Sequence, residues 1–135
     1  MVEEMVVTDS LSAEMISAGE KLINNLDKAK FIVSAALWLY LADADKWRFV
    51  LASPEARIYG PKKAYKQILA VINKMPVNES KIPLKDISVT DSKDPLISLL
   101  KVAVTTAPNA LSGIRFRNVT INGTAIDDAH IYRLS

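Results

Sequence analysis

Arg115-Phe-Arg-Asn-Val-Thr-Ile-Asn122-Gly123-Thr-Ala-Ile-Asp-Asp-Ala-His-Ile-Tyr-Arg133 is the stretch that decides how this chain folds. Asn122-Gly123 stands between two runs rich in β-branched residues. A two-residue type I′ turn needs positive φ at both central positions, and Asn-Gly supplies it at little steric cost. The turn predicts a hairpin with Ile121 opposite Thr124, Val119 opposite Ile126, Arg117 opposite Asp128, and Arg115 opposite His130. Strand alternation then gathers Arg115, Arg117, Asp128, His130 and Tyr132 on one face. Ile114, Phe116, Ala129 and Ile131 fall on the other, which should be core.

Working outward, residues 31–41 read Phe-Ile-Val-Ser-Ala-Ala-Leu-Trp-Leu-Tyr-Leu, nearly continuous apolarity of the kind a strand buried on both faces carries. A loop over 42–46 should reverse the chain into a second strand over 47–53, ended by Pro54. Pairing Leu41 with Trp47 would put Leu37, Leu39, Leu41, Trp47, Phe49 and Leu51 on a core face. Ala36, Trp38, Tyr40, Arg48, Val50 and Ala52 would form a mixed face, with Tyr40 opposite Arg48.

Helices complete the pattern. Asp9 or Ser10 can cap a helix over 10–28, with Leu11, Met15, Ala18, Leu22 and Leu26 on one stripe. Gly60-Pro61 opens a second helix, stopped by Pro76, whose inner stripe is Ala64, Tyr65, Ile68, Leu69, Ile72 and Met75. Residues 87–90 alternate as a short strand near an edge, and Asp94-Pro95 starts a third helix to about residue 104. The expectation is an α+β fold in the order α-β-β-α-β-α-β-β: a mostly antiparallel sheet of about five strands with three helices. All 135 residues should form one domain, with 1–9 a flexible N-terminal segment.

Composition narrows the chemistry. Half of the residues are apolar and none is cysteine, which removes disulfides, thiol nucleophiles and Cys-based zinc sites. The N-terminus is acidic where a secretory signal would be basic, and no apolar run is long enough to span a bilayer, so the expected setting is cytoplasmic, with no membrane partner. Net charge is +2, but residues 1–60 hold six Lys/Arg against nine Asp/Glu, whereas 61–135 hold eleven against six. Most of that excess lies in 61–85, where six lysines face the lone Glu79.

Three function classes follow. In the first, a strand apolar on both faces needs cover on both, and three short helices packed on one side would leave the Trp38, Tyr40 and Arg48 face as an exposed patch. Such patches mark interfaces, so the leading expectation is a non-catalytic protein-interaction domain acting as a homodimer or accessory subunit. In the second, Lys62, Lys63, Lys66 and Lys74 with Arg115 and Arg117 would bind nucleic acid. In the third, Asp128 and His130 would serve a small hydrolase or nuclease. That class is the least expected, because His130 is the only histidine and no nucleophile motif accompanies it. Asp127-Asp128-x-His130 suggests metal ligands, but alternation sends Asp127 to the opposite face and leaves two ligands, too few for a dedicated site. No metal and no cofactor is expected.

Ala35-Ala-Leu-Trp-Leu-Tyr40, Trp47-Arg-Phe, Leu51-Ala-Ser-Pro54, Gly60-Pro-x-x-Ala-Tyr65 and Ile131-Tyr-Arg-Leu134 together resemble a group of short bacterial proteins of unassigned function. The resemblance spans most of the chain from Leu22 onward. It implies a bacterial cytosolic setting and brings no activity, cofactor or catalytic residue with it.

Overall fold

The computed structural model describes residues 5–135. The first helix, α1 (Ala13–Lys28), begins later than Asp9 or Ser10 would have it, because the capping oxygen is Ser12 Oγ, which accepts from Met15 N at 3.1 Å. In the described part of the 1–9 segment Met5 is buried and Val7 half-buried, whereas Val6, Thr8 and Asp9 are exposed. The Met5 N–H donates to the Lys81 carbonyl, while the Asp9 carbonyl accepts from Trp47 Nε1. Residues 1–4, the rest of the segment read as flexible, lie outside the described residues.

Strands β1 (Ala35–Leu41) and β2 (Lys46–Ala52) form the first hairpin. Their register is one residue away from expectation: Leu41 pairs with Lys46, Tyr40 with Trp47, Trp38 with Phe49. A 3₁₀ turn over Ala42–Ala44, closed by left-handed Asp45 at φ 48°, shortens the loop to four residues and draws Lys46 into the ladder. With a side-chain period of two, that slip regroups both faces. Trp38 and Tyr40 join Trp47 and Phe49, whereas Leu37 and Leu39 stand opposite Val50 and Arg48.

Pro54 does more than end β2. With Ser53 as cap it opens an unexpected short helix, α2 (Pro54–Tyr59), which Gly60 at φ 88° separates from α3 (Pro61–Lys74). Strand β3 (Ile87–Thr90) pairs parallel to β2, α4 (Pro95–Ala103) starts under an Asp94 cap, and β4 (Ile114–Ile121) with β5 (Thr124–Leu134) makes the final hairpin. Among the described residues the fold is α+β: a mixed five-stranded sheet in the order β3-β2-β1-β5-β4, with four α-helices.

Both sheet faces are covered, but unequally. On one face α1 and α3 bury Trp38, Phe49, Leu51 and Tyr132 beneath Met15, Leu22, Leu26, Ile68 and Ile72. Trp38 donates from Nε1 to the Met15 carbonyl at 3.0 Å, and Tyr132 Oη donates to the Ile16 carbonyl at 2.7 Å. Tyr132 comes so close to α1 that a Cβ on Gly19 would lie 2.4 Å from its hydroxyl, so only glycine fits there. The other face, with Leu37, Ala129, Ile131 and Leu134, is covered by α4 alone, through Ile97 and Leu100.

β5 carries a bulge where the register with β1 shifts between Ala36 and Leu37, which leaves Tyr132 out of the pairing. Its neighbour Arg133 is 2 % exposed and holds three segments together. Nη1 and Nη2 donate to the two Asp27 carboxylate oxygens at 3.0 and 2.9 Å, Nη1 also to the Val33 carbonyl, and Nε to the Ala110 carbonyl. The irregular connection over 105–112 is fixed partly by this residue and partly by Thr106, which pairs with Leu134 through both backbone and side chain.

Candidate functional site

The last hairpin has the register that Asn122-Gly123 implies: Arg115 opposite His130, Arg117 opposite Asp128, Val119 opposite Ile126. The ladder skips Asn118 and Asp127, and Asn118 adopts a left-handed φ of 50°. Simple alternation fails across this point. Arg115, Arg117 and Asp128 open towards residues 9–11, the approach to α1, whereas Val119, Ile121 and Ile126 pack into the α4-side core.

A cleft of about 520 Å³ results, lined by Asp9, Tyr40, Trp47, Arg115, Arg117, Asp127 and Asp128, among others. Asp127 and Asp128 therefore share it, contrary to the expectation of opposite faces. The ion pair in it is Arg115 with Asp128 rather than Arg117 with Asp128. Nε and Nη2 of Arg115 donate to the two carboxylate oxygens at 2.5 and 2.7 Å, a bidentate fork, while its guanidinium lies 5.7 Å above the Trp47 ring. Hydrogen bonding to Arg115 holds the Asp128 carboxyl below its ordinary range, and Arg117 adds to the effect. Tyr40 packs on Trp47 and donates its hydroxyl to Asp45, which raises its pKa. His130 rests edge-on against Tyr132 at 4.8 Å, and burial, followed by the Arg115 charge, lowers its pKa.

The Asp128 shift gives a prediction. Its folded-state pKa lies below the unfolded value, so the pair contributes stability above about pH 4 that disappears as pH falls through the folded pKa. In a partly exposed pair the contribution is about 1 kcal/mol. Asp128→Asn should cost about that much at pH 7 in urea titrations and clearly less at pH 2. An equal loss at both pH values would show that the carboxylate charge is not what stabilises.

The residues singled out in the sequence do not assemble into one surface. Trp38 is fully buried under α1, Tyr40 lines the cleft, and Arg48 sits on the opposite face, where it donates to Ser88 Oγ and the Lys85 carbonyl. The one-residue slip of the first hairpin separates them. Asp128 is engaged by Arg115 while His130 is turned towards Tyr132, and among the described residues no three Asp, Glu or His groups are placed to hold a metal ion. Lys62, Lys63 and Lys66 are exposed around a hollow of about 450 Å³ that also contains Tyr59, with Lys74 exposed at the far end of α3. Arg115 and Arg117 are not with them, because β4 is the opposite edge of the sheet from β3, against which α3 packs. Lys81 leaves the basic surface altogether: it is buried and donates to the Pro76 carbonyl at 2.8 Å.

One surface escapes the sequence reading. Nine-residue α4 is too short to cover its side of five strands, and a groove of about 430 Å³ stays open beside it. Leu39, Leu41, Leu96, Ala125 and Ile126 form its apolar part, with Asp43 and Asp127 at the rim. The signal available in the sequence is the short span from Pro95 to the breaking 105–112 segment, set against alternating leucines in β1.

No family model matches this chain, and neither does any curated protein or solved structure. No helix among the described residues is long and apolar enough to cross a membrane.

Proposed function

We propose that this chain is a cytoplasmic protein-interaction domain that acts as a homodimer, with the open α4 side of the sheet as its contact surface. The observation that carries the reading is the groove of about 430 Å³ between α4 and the β1–β5 strands, with Leu39, Leu41, Leu96 and Ala125 incompletely covered. Apolar grooves of this kind lose free energy to water until a partner covers them. A second copy in a twofold arrangement is the simplest occupant, because one contact then covers the apolar residues of both chains. A chain free of cysteine needs no oxidising compartment, which fits the cytoplasm. Trp38 contributes nothing to this surface, since its side chain is core.

Light scattering on a sizing column tests it. The wild-type protein is expected at twice 14.9 kDa. Leu96→Glu puts a carboxylate in the first turn of α4, where the helix dipole favours it, so the fold should persist while the dimer dissociates. A wild-type monomer, or a Leu96→Glu dimer as tight as the parent, overturns the proposed surface.

A further inference from the structure

A second surface, remote from the α4 groove, has a chemistry of its own. α3 turns Ala64, Ile68 and Ile72 into the core and presents Lys62, Lys63, Lys66 and Lys74 to solvent. Lys62, Lys66 and Lys74 recur at spacings of four and eight, one side of the helix, over a length of about 18 Å at 1.5 Å per residue. Among the described residues no carboxylate lies within ion-pair distance of these lysines; the ion pairs are Arg57–Asp91, Arg115–Asp128 and Arg133–Asp27. The row is therefore a line of uncompensated positive charge, which attracts a linear polyanion.

Tyr59 distinguishes the surface from a plain solvated helix. It closes α2, is 53 % exposed, and stands in the same hollow of about 450 Å³ as Lys62, Lys63 and Lys66. Lys63 Nζ lies 4.5 Å from the ring centroid. An accessible aromatic ring beside a row of cations is the combination that single-stranded nucleic acid requires: phosphates along the charge, one base stacked on the ring. A lipid surface would need a continuous apolar face beneath the lysines, whereas α3 turns Ala64, Ile68 and Ile72 inward and leaves only Leu69, with Ile58 of α2, exposed nearby. The bases of a duplex are stacked on one another and cannot use the ring.

We infer that the outer face of α3, together with Tyr59, binds single-stranded nucleic acid without sequence preference, through phosphate contacts to Lys62, Lys63, Lys66 and Lys74 and base stacking on Tyr59. Arg115 and Arg117 take no part, being at the other edge of the sheet.

Fluorescence anisotropy with a labelled oligothymidylate and the full chain tests the inference. With four phosphate contacts on a single strand, the logarithm of the affinity should fall with the logarithm of salt at a slope of about −2.8. The Lys62→Ala/Lys66→Ala pair should reduce that slope by about 1.4. Tyr59→Ala should leave the slope unchanged and weaken binding about tenfold. All three substituted positions are exposed, and unchanged circular dichroism will show that the fold is retained. No binding at low salt, a slope insensitive to the lysine pair, or a duplex bound as tightly as the single strand overturns the inference. So does capture by phosphatidylserine vesicles with the oligothymidylate unbound. Loss of binding in Arg117→Ala but not in the lysine pair would move the site to the hairpin cleft and likewise overturn it.

Discussion

Trp38→Asp is expected to leave no folded protein. Trp38 has no exposed surface, meets Phe49 edge-on at 5.0 Å, and donates its indole N–H to the Met15 carbonyl of α1. Truncating a buried tryptophan alone costs about 3–5 kcal/mol. The carboxyl group adds a further penalty, since at that depth it must either stay charged without a partner or take up a proton. Together these approach the whole stability of a domain this size, about 5–15 kcal/mol. Near-UV circular dichroism and amide dispersion by NMR should both be lost. Retention of native dispersion at 25 °C would mean that Trp38 lies on a surface and that the first hairpin has the other register.

Arg133→Ala should be the next most damaging change, at about 3–4 kcal/mol. Its guanidinium makes four hydrogen bonds, to both Asp27 oxygens and to the Val33 and Ala110 carbonyls, and the side chain is buried. Removing it leaves those carbonyls without a donor, opens a large cavity, and cuts the tie between α1, the approach to β1, and the 105–112 connection. Asp27 is itself 40 % exposed and can turn to water, which keeps the cost below that of a fully buried broken pair. The thermal midpoint should fall by about 10 °C or more. Arg133→Met, which fills most of the volume, should recover part of the loss. A midpoint within about 3 °C of wild type for the alanine variant would show that the three segments are held by other contacts.

Both residues were in view in the sequence, and neither could be given its place there. The face that Trp38 takes depends on a loop length, and Ala-Asp-Ala-Asp contains no glycine or proline to declare its turn type. The 3₁₀ turn and left-handed Asp45 that shorten the loop are compatible with the sequence but not demanded by it. Arg133 sits beside a bulge, and a bulge arises from packing between strands rather than from a local pattern. The candidate surfaces divide the same way. The lysine row of α3 was legible, because a helical period and an inner apolar stripe suffice to place it outside. The α4-side groove was not, because it exists only once the number of strands on that face is compared with the length of the one helix covering it.

What the sequence determined by itself is the order of the longer elements, without the short α2, the α+β class and the register of the final hairpin. Capping residues, prolines and Asn122-Gly123 act over a few residues and need no partner elsewhere in the chain. The tertiary structure alone decided which face of β1 lies under α1 and α3, that Asp128 pairs with Arg115 rather than Arg117, that Asn118 turns the outer part of β4 towards α4, and that Lys81 is buried. Each of these depends on groups distant in sequence meeting at one place, where a one-residue change in a single loop reverses which side chains are inside.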